Sequence, residues 1–95
     1  MKLQMSDSAA QWYVDELELQ ENDHVRFFVR YGGIGGHQPG FSLGVANEKP
    51  ENPAAETNMD GVLFFIENED LWYFDGADLF VQLEKEQEEP EFLYK

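Results

Sequence analysis

The stretch RFFVRYGGIGGHQPGFSLGV, residues Arg26–Val45, decides the fold of this chain. Apolar side chains alternate with others on both sides of its glycines, with one set at Val25, Phe27, Val29 and Tyr31 and a second at Phe41, Leu43 and Val45. Because successive side chains of a strand point to opposite faces, this alternation predicts two strands. The glycine-rich segment 32–40 then joins them as a loop.

One helix is predicted ahead of these strands, over residues 7–19. Ala10, Val14 and Leu17 recur at helical spacing. Ser6, Asp7 and Ser8 are N-cap candidates, and Ser8 with Gln11 fits a capping box. The alternation of residues 2–5 predicts a short strand before this helix.

The remainder of the chain predicts further strands. The segment VLFFIE, residues 62–67, is apolar on both faces, which favours a central position in a sheet. LFVQLE and FLYK follow as shorter strands, and NEDLWYFDGAD predicts a helical turn that ends at a tight turn, Asp75–Gly76. Residues 47–60 contain two prolines and many polar side chains, and they predict a surface loop.

The predicted fold is therefore mainly β (α+β): a single domain over residues 1–95, with about seven short strands in a sandwich or partial barrel and one N-terminal helix. Its aromatic content of eight Phe, four Tyr and two Trp supplies a large core for its length. The side chains predicted to be mostly buried are Val25, Phe27, Val29, Leu43, Val45, Val62, Phe64 and Leu79.

Charge and composition exclude several classes of function. A net charge of −14 disfavours binding to nucleic acid and to anionic membranes. The absence of cysteine excludes disulfides and thiolate metal sites on this chain. No apolar run reaches the roughly 20 residues of a membrane span, and the N-terminus lacks the apolar core of a signal peptide. We therefore expect a cytoplasmic protein.

Four sequence features occur in a characteristic order: the capped SDSAAQWYVDEL helix, VRFFVRYGG before FSLGV, the DGVLFFIENEDLWYFDGADL block, and the final PEFLYK. In this order they resemble the HesB-like, A-type iron–sulfur scaffold family with its IscA-like fold, over nearly the whole chain. Within that family the chain is similar to the short, cysteine-less subgroup known as the YneR type. The resemblance implies a HesB-like β-sandwich or partial barrel.

The cluster ligands that the resemblance implies are missing. Ile34 occupies the position of the family's first cysteine, and the family's Cys-Gly-Cys motif has no counterpart before Lys95. Iron–sulfur clusters need thiolate ligands, which His24 and His37 do not replace. Iron or an iron–sulfur cluster is the cofactor that the family implies, but we expect none on this chain.

The predicted function is that of a degenerate A-type protein, an accessory or interaction protein related to iron–sulfur cluster biogenesis. One alternative is a divalent-metal (iron) carrier that uses carboxylates together with His37 as its candidate metal ligand. The other is an anion- or small-ligand-binding module, in which loop amides act with Arg30 and His37. No enzyme is predicted, because cysteine is absent and Ser42 has no apparent His and Asp partners.

The glycine loop is the candidate site for contact with a protein partner or with a second copy in a homodimer. The residues predicted to take part are Gly33, Ile34, Gly35, Gly36, His37 and Phe41. The alternative is that the glycines serve backbone geometry only. The aromatic block Trp72–Phe74 is predicted to be core, although an exposed member would mark a contact surface.

Overall fold

The computed structural model describes residues 1–33 and 36–95, and within them seven strands accompany two α-helices and a 3₁₀ turn. In chain order these are β1 (Leu3–Met5), α1 (Asp7–Glu16), β2 (His24–Tyr31), β3 (Phe41–Asn47), β4 (Pro53–Met59), β5 (Val62–Glu67), the 3₁₀ turn (Asn68–Asp70), α2 (Leu71–Phe74), β6 (Leu79–Gln82) and β7 (Glu91–Tyr94). The predicted class, mainly β with an N-terminal helix, is confirmed.

The described strands form two separate mixed sheets instead of a closed barrel. The larger sheet has the order β3-β2-β5-β4, and β2 pairs with β5 in parallel. The smaller sheet has the order β1-β6-β7, so it unites the first strand of the chain with the last two. The glycine-rich segment joins β2 to β3, whose antiparallel register ends at the pair Tyr31 and Phe41.

Helix α1 begins at the predicted residue, Asp7, but is shorter than predicted. Ser6, one of the three predicted N-cap candidates, is the N-cap, and its Oγ accepts a hydrogen bond from the Ala9 amide at 3.2 Å. The capping box predicted at Ser8 is wrong, because Ser8 Oγ donates to the Leu83 carbonyl oxygen at 2.8 Å. The helix ends at Glu16 instead of residue 19, because Glu18 adopts a left-handed φ of 51°. The chain then changes direction, and the side chain of Leu19 is buried although the helix has ended.

The loop predicted for residues 47–60 is wrong over Pro53–Met59, which forms strand β4. Among the described strands, β4 lies at the edge of its sheet and pairs only with β5. An edge strand tolerates a proline at its first residue and needs few apolar side chains. Only Ala55 of this strand is buried, which is why the segment lacks a strand-like pattern.

The core lies between the larger sheet, the smaller sheet and α1. Of the eight side chains predicted to be mostly buried, six are buried, namely Val25, Phe27, Leu43, Val62, Phe64 and Leu79. Val29 and Val45 are only partly buried at the margin of the core. Tyr13 of α1 closes the core against Phe27, with ring centroids 5.6 Å apart.

Candidate functional site

The glycine loop between β2 and β3 is closed by its own backbone. The Gly32 amide donates to the Gly40 carbonyl at 2.7 Å, and both residues have positive φ. Gly33 also has a positive φ, of 87°, and a Cβ there would overlap the Ser42 side chain. The predicted contact residues Ile34 and Gly35 lie outside the described residues.

Beyond the loop, His37 belongs to a cluster with two tyrosines. The His37 amide donates to Tyr73 Oη at 2.6 Å, and Tyr73 Oη lies 3.1 Å from Tyr94 Oη. The His37 ring stacks on Tyr94 at a centroid distance of 4.5 Å. Burial, followed by the hydrogen bond to Tyr73, raises the pKa of Tyr94 above its usual range. The cluster connects the loop to α2 and β7.

Gly36 has a steric role in the same cluster. A Cβ at this position would overlap the Phe41 carbonyl oxygen and would lie 2.7 Å from Tyr73 Oη. The Phe41 oxygen belongs to the backbone and cannot move aside as a flexible side chain would. The absence of a side chain at Gly36 therefore allows the loop to pack against β3 and Tyr73.

An exposed aromatic surface lies beside this cluster. Tyr31 is 88% exposed and Trp72 is 53% exposed, and Phe41 lies between them at centroid distances of 5.7 and 5.2 Å. We call these three residues the aromatic face. Phe41 is one of the predicted contact residues, whereas Tyr31 is predicted only as part of a strand.

Trp72 is the member of its aromatic block that leaves the core. Tyr73 and Phe74 are fully buried, as predicted for the block. Successive residues of a helix point about 100° apart, so three consecutive aromatics cannot all face the same core. A helical reading of the block therefore predicts that one of them points away.

A groove runs between α1 and the start of β7, and we call it the α1–β7 groove. Its volume is about 350 Å³, and its lining is mainly apolar, from Trp12, Leu17, Leu43, Val45, Pro90 and Phe92. Glu16, Glu89 and Arg30 add charge. The groove shares Arg30, Leu43 and Phe92 with a second cavity of about 360 Å³, which reaches Gly33, Gly36 and Ser42 beneath the glycine loop.

Arg30 lies where the two cavities meet. Its Nε donates to Ser42 Oγ at 3.0 Å, and Ser42 is buried beside Gly33. Ser42 thus orients the guanidinium of Arg30. The buried hydroxyl of Ser42 therefore has a structural role as a hydrogen-bond acceptor, in agreement with the prediction that it is not a nucleophile.

A separate charged cluster surrounds Arg26. Its guanidinium donates to Glu69 at 2.7 Å, to Asp70 at 2.8 Å and to Glu48 at 3.3 Å. Burial lowers the pKa of Arg26, but the hydrogen bonds to Asp70 and Glu69 reverse this effect and raise it overall. Arginine stays protonated in proteins, so these ion pairs persist and connect β2 to the 3₁₀ turn.

The remaining charged residues do not assemble a metal site within residues 1–33 and 36–95. No three His, Asp or Glu side chains of this part converge as ligands, and His37 stacks on a tyrosine instead of facing carboxylates. Among the same residues, no helix has the length and apolar character needed to cross a membrane.

These features define a small α+β protein that combines an aromatic face with a partly acidic groove. No protein-family model matches the sequence. The chain is 47% identical, over the full length of both chains, to the pyruvate dehydrogenase inhibitor of Bacillus subtilis.

Two uncharacterized staphylococcal proteins are also similar. One from Staphylococcus saprophyticus is 40% identical and covers 87% of this chain and 88% of its own length. One from Staphylococcus aureus is 36% identical and covers 94% of each. The chain belongs to the family that contains the Bacillus inhibitor and these relatives.

The resemblance to the HesB-like, A-type iron–sulfur scaffold family is therefore wrong, as is the predicted role in iron–sulfur cluster biogenesis. The full-length relative is named as an inhibitor of pyruvate dehydrogenase. The alternatives of an iron carrier and of an anion- or small-ligand-binding module are replaced for the same reason. The matched features were a capped helix, short turns and apolar strands, which many small α+β folds share.

Two other expectations agree with the comparison. The full-length relative is named as an inhibitor protein, which fits the prediction that this chain is not an enzyme. It fits equally the expectation that the chain carries no cofactor.

Proposed function

We propose that this chain binds pyruvate dehydrogenase and inhibits it without catalysing a reaction. The observation that carries the proposal is the 47% identity to a protein named as such an inhibitor, over the whole of both chains. The shared length means that the entire fold, not one segment of it, corresponds to that relative. An inhibitor of this kind acts by contact with a protein, so its function depends on an exposed surface.

The aromatic face supports a role in this contact. Tyrosine and tryptophan dominate the binding energy of many protein interfaces, because they bury a large area with few rotatable bonds. Tyr31 and Trp72 offer such area to solvent, and Phe41 holds them edge to face. Neighbouring aromatic side chains that are exposed to solvent are typical of a surface that contacts another protein.

The cluster behind the face supports the same role by fixing its position. Trp72 directly precedes Tyr73, which is buried and hydrogen-bonded to the His37 amide. A preordered surface loses less conformational entropy when it binds. We therefore extend the proposed contact site to the predicted loop residues Gly33, Gly36, His37 and Phe41. Ile34 and Gly35 complete the predicted set.

The proposal places the chain in the same compartment as its target, which is the cytoplasmic location expected from the sequence. The partner is a protein and not a nucleic acid or a membrane, in keeping with the net charge of −14. A homodimer would also use an exposed aromatic surface, and sedimentation of the free chain distinguishes the two.

An activity assay tests the proposal directly. Pyruvate-dependent NADH formation by the pyruvate dehydrogenase complex of Bacillus subtilis is measured against increasing concentrations of the chain. We expect saturable inhibition by the wild-type chain. We expect a loss of potency of about tenfold or more in the Tyr31→Ser/Trp72→Ser variant, because two aromatic contacts of about 1 kcal/mol each are removed.

Phe80→Ser is the matched control, since it removes a partly exposed aromatic ring of β6 outside the aromatic face. It should inhibit as the wild type does. Absence of inhibition at a large excess of folded wild-type chain would refute the proposed function. Equal potency of all three proteins would support the inhibitory function but show that the aromatic face does not contribute to it.

A further inference from the structure

The α1–β7 groove has an apolar floor and an acidic side. Leu17, the C-cap residue of α1, is 40% exposed at the groove, and Val45 of β3 is only partly buried there. A core side chain left open at the margin of a fold in this way gains from being covered by another apolar group. The groove therefore presents apolar surface that the chain itself does not cover.

The acidic side of the groove is held in place by Trp12. The indole Nε1 of Trp12 donates to the Glu88 carbonyl oxygen at 3.0 Å, which binds the acidic segment before β7 to α1. A third cavity, lined by Trp12 and residues 87–91, continues the groove along this segment. Burial raises the pKa of Tyr13, and the negative charge of the nearby Glu89 raises it further.

Carboxylates border the groove from both of the elements that form it. Glu16 belongs to α1 and Glu89 to the segment before β7, Glu88 and Glu91 line the cavity that continues the groove, and Arg30 lies where the groove meets the second cavity. Negative potential is focused where carboxylates border an apolar cavity. The occupant that fits this arrangement is positively charged on both sides of an apolar group.

A second copy of this chain does not fit that description. Each copy carries a net charge of −14, with only six basic residues among 95. Two such molecules repel each other, and neither offers a basic segment to the groove of the other.

We propose that the α1–β7 groove binds an extended segment of a partner protein in which basic residues flank one large apolar side chain. The apolar side chain occupies the space over Leu17, Leu43 and Val45, for which a volume of about 350 Å³ is ample. Lysine or arginine side chains on either side of it face Glu16 and Glu89. The class of occupant, a protein segment, rests on the proposed function, whereas the binding preference rests on the groove alone.

Peptide binding tests this inference without pyruvate dehydrogenase. The probe is the synthetic peptide acetyl-KKLFKK-amide, and acetyl-KKSSKK-amide has the same charge without the apolar pair. Trp72→Phe leaves Trp12 as the only tryptophan, so that its fluorescence reports on the groove. In this background we expect saturable binding of the first peptide at about 0.1 M salt and at least fivefold weaker binding of the second.

Variants of the chain locate the binding. Leu17→Ser and the pair Glu16→Lys/Glu89→Lys should each weaken binding of the first peptide about fivefold, since exposed contacts of this kind contribute up to about 1 kcal/mol each. The pair Glu56→Lys/Asp60→Lys changes the net charge equally on exposed residues of β4 and the following turn. It should weaken binding less than twofold.

Equal weakening by both charge-reversed pairs would overturn the inference, because binding would then follow net charge alone. Equal binding of the two peptides would overturn it as well, since the apolar floor would have no role. A dimer of the free chain that Leu17→Ser dissociates would assign the groove to a second copy and refute it. Peptide binding that persists where inhibition of pyruvate dehydrogenase fails would separate the groove from the proposed function.

Discussion

The two ends of strand β2 have the same alternating pattern and opposite environments. At its start, Val25 and Phe27 are fully buried, whereas at its end Tyr31 is 88% exposed. The difference lies in what covers each end. β5 pairs with β2 only over His24–Arg26, and Tyr13 of α1 packs on Phe27.

Beyond that point β2 is paired with β3 alone. The register pair Tyr31 and Phe41 closes the β2–β3 ladder, with no neighbouring strand of the described sheet beyond it. Alternation therefore specifies which face a side chain occupies, but burial depends on the elements that reach that face. The covered end of the strand provides stability, and the uncovered end is available for binding.

The largest expected effect is at the covered end. Phe64 of β5 is fully buried, stacks on Phe27 at 6.0 Å and also contacts Tyr13. Phe64→Ala should lower the free energy of unfolding by about 3–5 kcal/mol, because it removes a large ring and leaves a cavity. Urea unfolding measures this. A loss below about 1 kcal/mol would mean that the covered end is far less tightly packed than the structure shows.

The second effect concerns the loop that follows the uncovered end of β2. Gly36→Ala should lower the free energy of unfolding by about 2 kcal/mol, because the new Cβ would overlap the Phe41 carbonyl oxygen. Gly40→Ala is the matched control, since Gly40 has a positive φ of 83° but no neighbouring atom within 4 Å of a Cβ. It should cost about 1 kcal/mol from backbone strain alone. Equal losses of unfolding free energy in the two variants would contradict the steric role of Gly36.

Much of the covered end could be predicted from the sequence. The alternation over Val25–Val29 and the apolar run of β5 predicted strands correctly, because burial on both sides demands apolar side chains. Strand β4 could not be predicted in this way. This strand forms because its backbone hydrogen-bonds to β5, and its mostly exposed side chains show no alternation of apolar and polar residues in the sequence.

The candidate site was predictable only in part. The glycines and His37 marked the loop, but His37 contacts Tyr73, which lies 36 positions away in the sequence, and Tyr73 contacts Tyr94 a further 21 positions on. No local pattern reports such a contact. The exposure of Tyr31 depends on where β5 stops pairing, and the exposure of Trp72 depends on the orientation of a four-residue helix.

The third effect is smaller and depends on pH. Tyr94→Phe removes the hydrogen bond to Tyr73 and should lower the free energy of unfolding by about 1 kcal/mol at neutral pH. The raised pKa of Tyr94 means that the folded chain holds its phenolic proton more tightly than the unfolded chain, whose tyrosines ionise near pH 10. This contribution is therefore complete below about pH 10 and is lost as the pH rises further.

Urea unfolding between about pH 9 and 12 checks the sign. The free energy of unfolding should fall less steeply with pH in Tyr94→Phe than in the wild type. Some decline should remain, because burial also raises the pKa of Tyr13. Identical slopes in the two proteins would show that Tyr94 ionises equally in the folded and unfolded chains.

The smallest expected effect on stability is at the uncovered end of β2. Tyr31→Ser should change the free energy of unfolding by about 0.5 kcal/mol or less, since the side chain is 88% exposed and its ring contact is with Phe41. The same change should nevertheless reduce inhibition of pyruvate dehydrogenase, because the ring is a member of the proposed contact surface. Thermal unfolding and the NADH assay on one preparation compare the two effects. A loss of stability above about 2 kcal/mol would place Tyr31 in the core and abolish the distinction between the two ends of the strand.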